Sequence, residues 1–466
     1  MQSRLIFHNP GNRRLIIIFA GWSTTPSFYR DLHAEGWDIA VVWDYSSLDF
    51  DASVIDGYES VFIIGWSMGV AAAAHAAATT LPPERISAAF AVNGTLYPSS
   101  DSYGIPEAIY EGTRATLNAR NLLKFTRRMG YVAPDPATLP PLSPEDIYIP
   151  DFESLANELD NVRANTKKGR LPWNRAYIST GDRIFPPQSM KAYWSVDPSH
   201  PEIIEIDAPH YVRLQSIIDE VTPDLPRIGR RFKRAVPTYD ANASAQQLIV
   251  NKLADMLPVE ACSDIRSMLE IGAGSGMLSR RLAEILPELE EATFLDLYPL
   301  PRFDIAARES YVEADAEKWM MEAESESFDL IASANTMQWF ADPDSFFRHS
   351  ARVLRSGGYF LCSTFLKGNL KELDTKRPSP LLYRTSEELH AMLSRHFDEV
   401  LTSATPITLT FPTRRDLLLH LKLTGVGGGA PSSLPYRSET TSTSPSTPEN
   451  PFTLTYTPFY ILARKK

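Results

Sequence analysis

The chain has 466 residues, and its 43% hydrophobic and 22% charged residues are typical of a soluble globular protein and exclude a disordered chain. The length exceeds the ~250–300 residues at which a single hydrophobic core stops growing, so we expect two domains. The 46 basic and 57 acidic residues give a net charge of −11, which argues against non-specific binding to nucleic acid or to an anionic membrane.

The amino-terminal segment has no signal-peptide pattern, and its first long apolar run, Leu15–Ala20, is much too short to cross a membrane. We therefore expect a cytoplasmic protein with no membrane partner. Two cysteines, Cys262 and Cys362, can form neither a disulfide framework nor, by themselves, a zinc site. We expect no metal.

In the first half, short apolar runs alternate with helix-like segments, which predicts crossover units on a largely parallel sheet. The predicted strands are Leu15–Ala20, Ile39–Trp43, Val61–Ile64, Ala88–Val92, Ala176–Ser179 and Ile203–Ile206. Between residues 96 and 173 the sequence becomes helical, proline-rich and charged, and it is too long for a simple crossover. We predict an α/β domain over residues 1–222 with a lid-like insertion at about 96–173.

A serine lies at a predicted strand-to-helix turn in this domain. The run Gly65-Trp66-Ser67-Met68-Gly69 follows an apolar strand and precedes an alanine-rich helix, Val70–Ala78. Such a turn holds the serine exposed, and the two glycines relieve crowding around it. We therefore predict that Ser67 is the nucleophile of an α/β-hydrolase. Ser23 also follows Gly-Trp, but it lacks the second glycine and the helix.

In this architecture an acid and then a histidine follow the serine along the chain. Asp182 ends a turn after one predicted strand, and His210, one of nine histidines, lies just past the next. We predict that His210 takes the serine proton and that Asp182 holds its tautomer, with Asp207 as the rival acid. The oxyanion would be bound by the backbone N–H groups of Met68 and Trp22. The Trp22 indole would either line the acyl site or pack in the core.

The segment Val221–Lys233 contains Pro and Gly that break all periodicity, so we place the linker between the domains there. A second strand–helix alternation over residues 231–466 predicts another α/β domain, with strands at Ser267–Ile271, Ala292–Asp296, Asp329–Ala332 and Gly358–Phe365. Gly425–Asn450 is rich in Gly, Ser, Thr and Pro and predicts a flexible loop. Thr453–Leu462 predicts one last strand.

A glycine turn follows the first strand of this second domain and precedes a helix, Leu278–Ile285. Its spacing is Glu-x-Gly-x-Gly-x-Gly, formed by Glu270, Gly272, Gly274 and Gly276. Glycines let the backbone approach a ligand closely, while an acid at this position would repel a pyrophosphate. The pattern therefore favours S-adenosylmethionine, which is cationic and has no phosphate, in a Rossmann-like class I methyltransferase domain.

Polar residues at the ends of the following strands complete the predicted cofactor site. Asp296 ends the next strand, where it would accept from the ribose hydroxyls. Asp315, followed by Ala316, is placed to accept from the adenine amino group. Ser333 and Asn335 lie at the end of a further strand, where backbone carbonyls would face the methionine ammonium. The alternative is that the glycines form a plain turn and the acids cap strands.

The carboxy-terminal half, from about Phe232 to Lys466, resembles the BioC-type malonyl-carrier-protein methyltransferases of biotin synthesis. Besides the glycine motif, the matching segments are Phe232-Lys-Arg-Ala-Val-Pro-Thr-Tyr239-Asp, Thr336-Met-Gln-Trp-Phe, Phe365-Leu-Lys-Gly-Asn-Leu-Lys-Glu-Leu373, Pro451-Phe-Thr-Leu-Thr-Tyr456 and Leu462-Ala-Arg. The amino-terminal half, about Met1 to Leu214, resembles the BioG-type esterases of pimeloyl-carrier-protein methyl ester. Its matching segments are Phe19-Ala-Gly-Trp-Ser23, Gly65-Trp-Ser-Met-Gly69, Tyr177-Ile-Ser-Thr-Gly-Asp182 and Ala208-Pro-His210.

The resemblance implies a bifunctional biotin-synthesis enzyme whose partner is the acyl-carrier protein and whose methyl donor is S-adenosylmethionine. Methylation of the malonyl carboxylate would remove a charge that an apolar synthase channel excludes, and the esterase would restore the acid at seven carbons. The resemblance also implies that Tyr239 helps to close over the cofactor. Two alternatives remain, a fusion enzyme that modifies small-molecule carboxylic acids and a binding protein without catalysis.

Because carrier proteins are acidic, a chain of net charge −11 needs local basic surfaces to dock them. Three clusters are candidates, and each could equally be a solvated face. The clusters are Lys124, Arg127 and Arg128; Arg163, Lys167, Lys168 and Arg170; and Arg227, Arg230, Arg231, Lys233 and Arg234.

Overall fold

The computed structural model describes residues 1–130, 151–222, 224–373, 381–424 and 452–465. Within these ranges the chain forms two compact units, one over residues 1–222 and the other from residue 224 onward. Both are α/β units, which confirms the predicted fold class. None of the helices in the described ranges combines the length and apolar character that a membrane span requires.

The first unit contains a seven-stranded sheet within the described residues, with strand order β1-β3-β2-β4-β5-β6-β7. Neighbouring strands are parallel except for β1, which runs antiparallel to β3. The strands are β1 (Gln2–Phe7), β2 (Arg14–Phe19), β3 (Asp38–Trp43), β4 (Ser60–Trp66), β5 (Ile86–Val92), β6 (Trp173–Ser179) and β7 (Glu202–Ile206). The helices are α1 (Gly69–Thr79), α2 (Glu107–Ala115), α3 (Ala119–Met129), α4 (Phe152–Asn165), α5 (Pro187–Trp194) and α6 (Gln215–Val221).

Strands that are buried on both faces are the easiest to predict from the sequence. Every residue of β2, β3 and β4 is buried, so these strands are continuous apolar runs covered on both faces. In contrast, β1 is an edge strand with mostly exposed or half-buried residues, and its mixed sequence did not predict a strand. Three helices, α2, α3 and α4, lie within the predicted insertion, whose residues 131–150 fall outside the described ranges.

The second unit contains a seven-stranded sheet within the described residues, ordered β10-β9-β8-β11-β12-β16-β13, and a two-stranded sheet, β14-β15. The strands are β8 (Ser267–Ile271), β9 (Glu291–Asp296), β10 (Arg308–Glu313), β11 (Phe328–Ala334), β12 (Leu354–Phe365), β13 (Glu399–Ala404), β14 (Ile407–Phe411), β15 (Phe452–Tyr456) and β16 (Pro458–Arg464). The helices are α7 (Leu225–Asn242), α8 (Ser244–Ala254), α9 (Val259–Cys262), α10 (Met277–Ile285), α11 (Ala316–Glu322), α12 (Pro343–Val353), α13 (Ser386–Leu393) and α14 (Arg414–Leu423).

Strands β8 to β12 of this sheet are mutually parallel, and β16 is antiparallel to both β12 and β13. The parallel strands place their carboxyl ends at one edge, where the glycine turn follows β8. Two clusters of buried apolar side chains pack in this unit, one containing Met268 and Phe294 and the other containing Leu269 and Ile331. Successive residues of β8 thus belong to different clusters, as expected for a sheet covered on both faces.

The two units divide between residues 222 and 223, inside the predicted linker Val221–Lys233, but most of that segment is not irregular, because α7 occupies it. The Asp224 side chain accepts from the Arg227 N–H at 2.9 Å and caps the helix. Pro226 lies in the first turn, where a missing N–H costs no intrahelical bond. The apolar period of the helix was present in the sequence, but its prolines and glycine obscured it.

The single closing strand predicted at Thr453–Leu462 is wrong. The structure has two strands there, separated at Thr457, and they belong to different sheets. Strand β15 pairs with β14, whereas β16 inserts between β12 and β13. Both strands are rich in apolar and aromatic residues, so Pro458 at the start of β16 was the sequence signal of the break. The predicted loop at 425–450 lies outside the described residues.

Candidate active sites of the two units

The serine turn between β4 and α1 has the geometry of a strained nucleophile turn. Ser67 has a φ of 58°, in the left-handed region that costs a residue other than glycine about 1–3 kcal/mol. A Cβ on Gly65 would lie 2.8 Å from the Val70 Cα, and a Cβ on Gly69 would lie 2.0 Å from the Phe19 carbonyl oxygen. Both glycines are therefore required by close backbone approach, which explains the motif physically.

Ser67, His210 and Asp182 form a connected hydrogen-bonded chain. The distance from His210 Nε2 to Ser67 Oγ is 3.0 Å, and the distance from His210 Nδ1 to Asp182 Oδ2 is 2.7 Å. All three residues are buried, with 1% of His210 exposed. This arrangement can transfer a proton from the hydroxyl to the imidazole while the carboxylate stabilises the imidazolium.

Asp182, and not the rival Asp207, contacts the histidine. The second Asp182 carboxylate oxygen accepts from the backbone N–H groups of Ile184 and Phe185, at 2.7 and 2.9 Å, which fixes the carboxylate plane. Asp207 is exposed and accepts only a long 3.5 Å hydrogen bond from Thr180 among the described residues. The structure therefore leaves Asp182 as the residue positioned to orient the imidazole.

Asn93 anchors the histidine loop, and the sequence analysis missed it. Its side-chain NH₂ group donates to the His210 backbone carbonyl at 2.8 Å and to the Ser179 hydroxyl at 2.7 Å. Its side-chain oxygen accepts from the Ser179 backbone N–H at 2.7 Å. Asn93 is fully buried and has a φ of 48°. The pair Asn93-Gly94 directly after an apolar strand was the available signal for such a special turn.

Of the two predicted oxyanion donors, Met68 directly follows Ser67 and Trp22 lies in the loop after β2. Neither the Met68 nor the Trp22 backbone N–H donates to another described residue, so both are free to bind an oxyanion. The Trp22 indole is buried and donates to the Leu155 carbonyl of α4 at 3.0 Å. Its ring also contacts Phe125 of α3 edge-on, with 5.0 Å between centroids. The ring thus packs against two helices of the insertion.

A cleft of about 1030 Å³, counted with its open mouth, lies at the carboxyl ends of β8, β9 and β11 in the second unit. Ligands bind at this edge in open α/β sheets. Gly272 and Gly274 line it with positive φ values of 72° and 56°. A Cβ on Gly272 would lie 2.1 Å from the Thr336 hydroxyl, so only glycine fits the turn.

Two acids at the floor of the cleft are held by neighbouring donors. Glu270 is 1% exposed, accepts from the Ser279 hydroxyl at 2.5 Å, and has its pKa raised by burial to about 8. Asp296 accepts from the Gly274 N–H at 2.9 Å and from the Leu297 N–H at 2.7 Å. Burial raises the pKa of Asp296 to about 6, against the opposing effect of these two bonds.

Buried polar atoms without partners point to a polar ligand in this cleft. Asp315 caps α11 through one oxygen, while its Oδ2 has no partner among the described residues. The Asn335 Oδ1 and Trp339 Nε1 atoms likewise have no partner among them, and all three residues line the cleft with Ala316. Such atoms are costly to bury unpaired. An adenosyl group with an amino-acid tail, as in S-adenosylmethionine, fits this set of acceptors and donors.

Two predicted cofactor residues do not reach the wall of the cleft. Ser333 is fully buried, and its hydroxyl donates to the Ile271 carbonyl at 2.9 Å, so it joins β8 to β11 instead. Gly276 donates to the Ala273 carbonyl and begins α10 at a φ of 81°. A Cβ there would lie 2.5 Å from the Phe303 ring. Ser333 thus holds two strands together, and Gly276 shapes the turn before α10.

A smaller side chamber of about 390 Å³, counted with its open mouth, shares five lining residues with the cleft. The sequence analysis missed most of its polar groups. Gln246 of α8 and Gln338 each present a buried side-chain oxygen without a partner in the described ranges. Phe232 contacts Trp339 edge-on with 5.6 Å between centroids. Tyr239 lines both spaces, consistent with its expected place near the cofactor, and burial raises the pKa of its hydroxyl.

Two family models match the chain, one in each unit. The model of the pimeloyl-ACP methyl esterase BioG matches residues 1–217, and a methyltransferase-domain model matches residues 269–362. A malonyl-[acyl-carrier protein] O-methyltransferase of Bacteroides fragilis is 32% identical, over 98% of this chain and 94% of that protein. The chain belongs to the malonyl-[acyl-carrier protein] O-methyltransferase family. This confirms the resemblance read from the motifs.

Other members of the malonyl-[acyl-carrier protein] O-methyltransferase family match only half of the chain. The protein of Porphyromonas gingivalis is 36% identical over 52% of this chain and 96% of its own length. A solved structure of selenomethionine BioG from Haemophilus influenzae is 32% identical over 46% of this chain and 94% of that chain, with a TM-score of 0.36. The Porphyromonas gingivalis protein, nearly all of which is matched, thus corresponds to about half of this chain.

Proposed function

We propose that the chain is a bifunctional enzyme of biotin synthesis. Its second unit methylates the free carboxyl of malonyl-[acyl-carrier protein], and its first unit hydrolyses the methyl ester of pimeloyl-[acyl-carrier protein]. The proposal is supported by the two family-model matches and by the full-length relative. The observation that carries it is the connected chain of Ser67, His210 and Asp182 in the unit that matches the esterase.

In the proposed ester hydrolysis, His210 Nε2 removes the Ser67 proton as the Oγ attacks the ester carbonyl. The N–H groups of Met68 and Trp22 bind the oxygen that becomes negatively charged. Collapse breaks the bond to the methoxy group, which leaves as methanol with the proton from His210. A water molecule then gives its proton to His210 and attacks the acyl-serine, and Ser67 recovers its proton as the carboxylic acid is released.

In the proposed methyl transfer, S-adenosylmethionine when bound supplies an electrophilic methyl group on a sulfonium. Asp296 would hold the ribose hydroxyls, Asp315 the adenine amino group, and Asn335 the amino-acid tail. A substrate carboxylate is already ionised at pH 7, so the chain needs no general base for this step. Its residues act by aligning the carboxylate and excluding water.

The direct test is mass spectrometry of the carrier proteins after incubation with the full chain. Malonyl-carrier protein should gain one methyl group when S-adenosylmethionine is present, and pimeloyl-carrier protein methyl ester should lose one. Free malonate should be a much poorer acceptor than the carrier-bound acid. Equal rates on free malonate would instead favour the alternative, an enzyme that modifies small-molecule carboxylic acids.

A further inference from the structure

Helix α7 has two faces with different surroundings within the second unit. Five of its side chains line the cofactor cleft: Leu225, Ile228, Phe232, Val236 and Tyr239. At 3.6 residues per turn these positions share one side of the helix. Residues 230 and 234 lie on the opposite side and residue 233 lies between the two sides, and we call these three exposed positions the outer face. The helix is therefore a cover of the cleft, with its inner face towards the ligand space.

The outer face of this cover is basic and exposed. Arg230, Lys233 and Arg234 are all exposed and form no ion pair with another described residue. The acids at the two ends of the helix are already engaged, because Asp224 caps the amino terminus and Asp240 binds Arg280 at 2.8 Å. The outer face thus presents three cations without counter-charges on the same helix.

The predicted docking cluster that contains Arg163 and Lys168 differs in this respect. Arg163 is paired with Glu111 at 2.7 Å and with Asp160 at 3.5 Å, and Lys168 lies over the Tyr97 ring. These cations stabilise the first unit internally. Helix α3 exposes Arg120, Lys124 and Arg127 on one face of the first unit, which makes it a matched comparison for α7.

The sequence of α7 makes the helix weak on its own. Pro237 cannot donate to the Lys233 carbonyl and costs about 3 kcal/mol in a helix interior, and Gly229 costs about 1 kcal/mol relative to alanine. The helix therefore depends on packing against its surroundings, and contacts on either face increase its stability. A partner that binds the outer face would hold the inner face over the cleft.

We propose that the outer face of α7 docks the acidic carrier protein and that docking stabilises the cover over the bound methyl donor. The inference rests on the proposed function, which supplies the acidic partner, and adds the docking surface and its coupling to the cofactor. Because coupling between two ligands is reciprocal, the carrier should tighten cofactor binding and the cofactor should tighten carrier binding.

The experiment measures the Kd of S-adenosylhomocysteine by calorimetry with and without malonyl-carrier protein, a mixture in which no transfer can occur. We expect the carrier to lower this Kd about fivefold or more. The triple variant Arg230→Glu, Lys233→Glu, Arg234→Glu should lose this coupling. It should also raise the KM for malonyl-carrier protein about tenfold at low salt, while the KM for malonyl-coenzyme A stays within about twofold.

The matched control is Arg120→Glu, Lys124→Glu, Arg127→Glu on α3, which changes the charge of the chain equally. Its methyl-transfer KM for malonyl-carrier protein should remain that of the unmodified chain. An equal effect of both triple variants, or an equal loss with malonyl-coenzyme A, would overturn the docking surface. No change of the Kd on adding the carrier would overturn the coupling.

Two further measurements keep the inference testable. If the triple glutamate variant changes the Kd of S-adenosylhomocysteine even without carrier protein, it is replaced by the variant with glutamine at the same three positions, which adds no negative charge. An unchanged KM for malonyl-carrier protein in the glutamine variant then contradicts the proposal. If the unmodified chain does not methylate malonyl-carrier protein, the proposed function fails. Direct binding of unloaded carrier protein to the chain and to its triple variant still tests the α7 surface in that case.

Discussion

At the scale of single residues, Asp182 has a role that a conservative change can isolate. Its carboxylate accepts from His210 and is fixed by two backbone N–H groups, so Asp182→Asn preserves the shape but favours the wrong imidazole tautomer. We expect kcat for ester hydrolysis to fall by about 10⁴-fold. Asp207→Asn, at the exposed rival acid, should leave hydrolysis within about twofold, and urea denaturation of the first unit reports that both variants are folded. Equal losses in the two variants would contradict this assignment.

Asp296 gives the cofactor site a pH dependence. Burial raises its pKa to about 6, so the carboxylate gains a proton as the pH falls through 6 and can no longer accept with full charge from ribose hydroxyls. The affinity for S-adenosylhomocysteine should therefore decrease below pH 6, by at most about tenfold per pH unit for one group. Glu270, whose pKa is about 8, keeps its proton over this range.

The check is calorimetry of S-adenosylhomocysteine binding between pH 5 and 7. Asp296→Asn should bind more weakly at pH 7 and show a flat profile. A pH dependence that persists in this variant would assign the titration to another group.

The sequence was informative about residues whose role depends on local spacing. The glycines around Ser67 and the acid after β9 follow from turn geometry and are readable along the chain. Ser333 could not be placed, because whether a strand-end serine faces the cleft or the next strand depends on sheet register. Gln246 could not be found, because it reaches the side chamber from a helix preceding the sheet.

At the scale of elements, the turn between β4 and α1 is where one added methyl group matters most. A Cβ at residue 69 would lie 2.0 Å from the Phe19 carbonyl, so Gly69→Ala must displace backbone. We expect a loss of about 3 kcal/mol in the free energy of unfolding of the first unit. Gly112→Ala, in α2 with nothing within 4 Å of the added atom, should instead stabilise by about 0.5–1 kcal/mol.

Urea denaturation of the full chain and of the two variants measures both effects. A destabilisation by Gly69→Ala no larger than the experimental spread would show that the turn relaxes, and the steric explanation of the motif would fail.

The two wrong element predictions have one physical origin. Helix α7 and the break between β15 and β16 are both defined by tertiary contacts. Helix α7 packs against the cleft, and the two strands are distinct because each pairs with strands of a different sheet. Proline and glycine suppressed the helix prediction, and apolar composition outweighed the proline signal at the strand break. The strands buried on both faces, such as β2 and β4, were predicted because burial there demands a continuous apolar run.

At the scale of the whole molecule, the two proposed activities oppose each other unless the esterase spares the malonyl ester. Each buried CH₂ contributes ~0.8 kcal/mol, so four additional methylenes supply ~3 kcal/mol, or roughly a hundredfold in kcat/KM. We expect the insertion, whose helices α3 and α4 pack against the buried Trp22 ring, to form the apolar surface that measures the length of the acyl chain.

We therefore expect the kcat/KM for carrier-bound pimeloyl methyl ester to be about a hundredfold higher than that for carrier-bound malonyl methyl ester. Trp22→Ala should narrow that ratio, whereas Trp319→Phe in the second unit should not change it. Equal kcat/KM values for the two esters in the unmodified chain would exclude discrimination by acyl length.

The most direct measurement follows both carrier substrates in one mixture by mass spectrometry, with the unmodified chain and with Ser67→Ala. The account predicts that the unmodified chain converts malonyl-carrier protein to its methyl ester and pimeloyl-carrier protein methyl ester to the free acid. Ser67→Ala should perform the methylation alone, at an unchanged rate. Persistent hydrolysis by Ser67→Ala, or no methyl gained by malonyl-carrier protein in either sample, would contradict it.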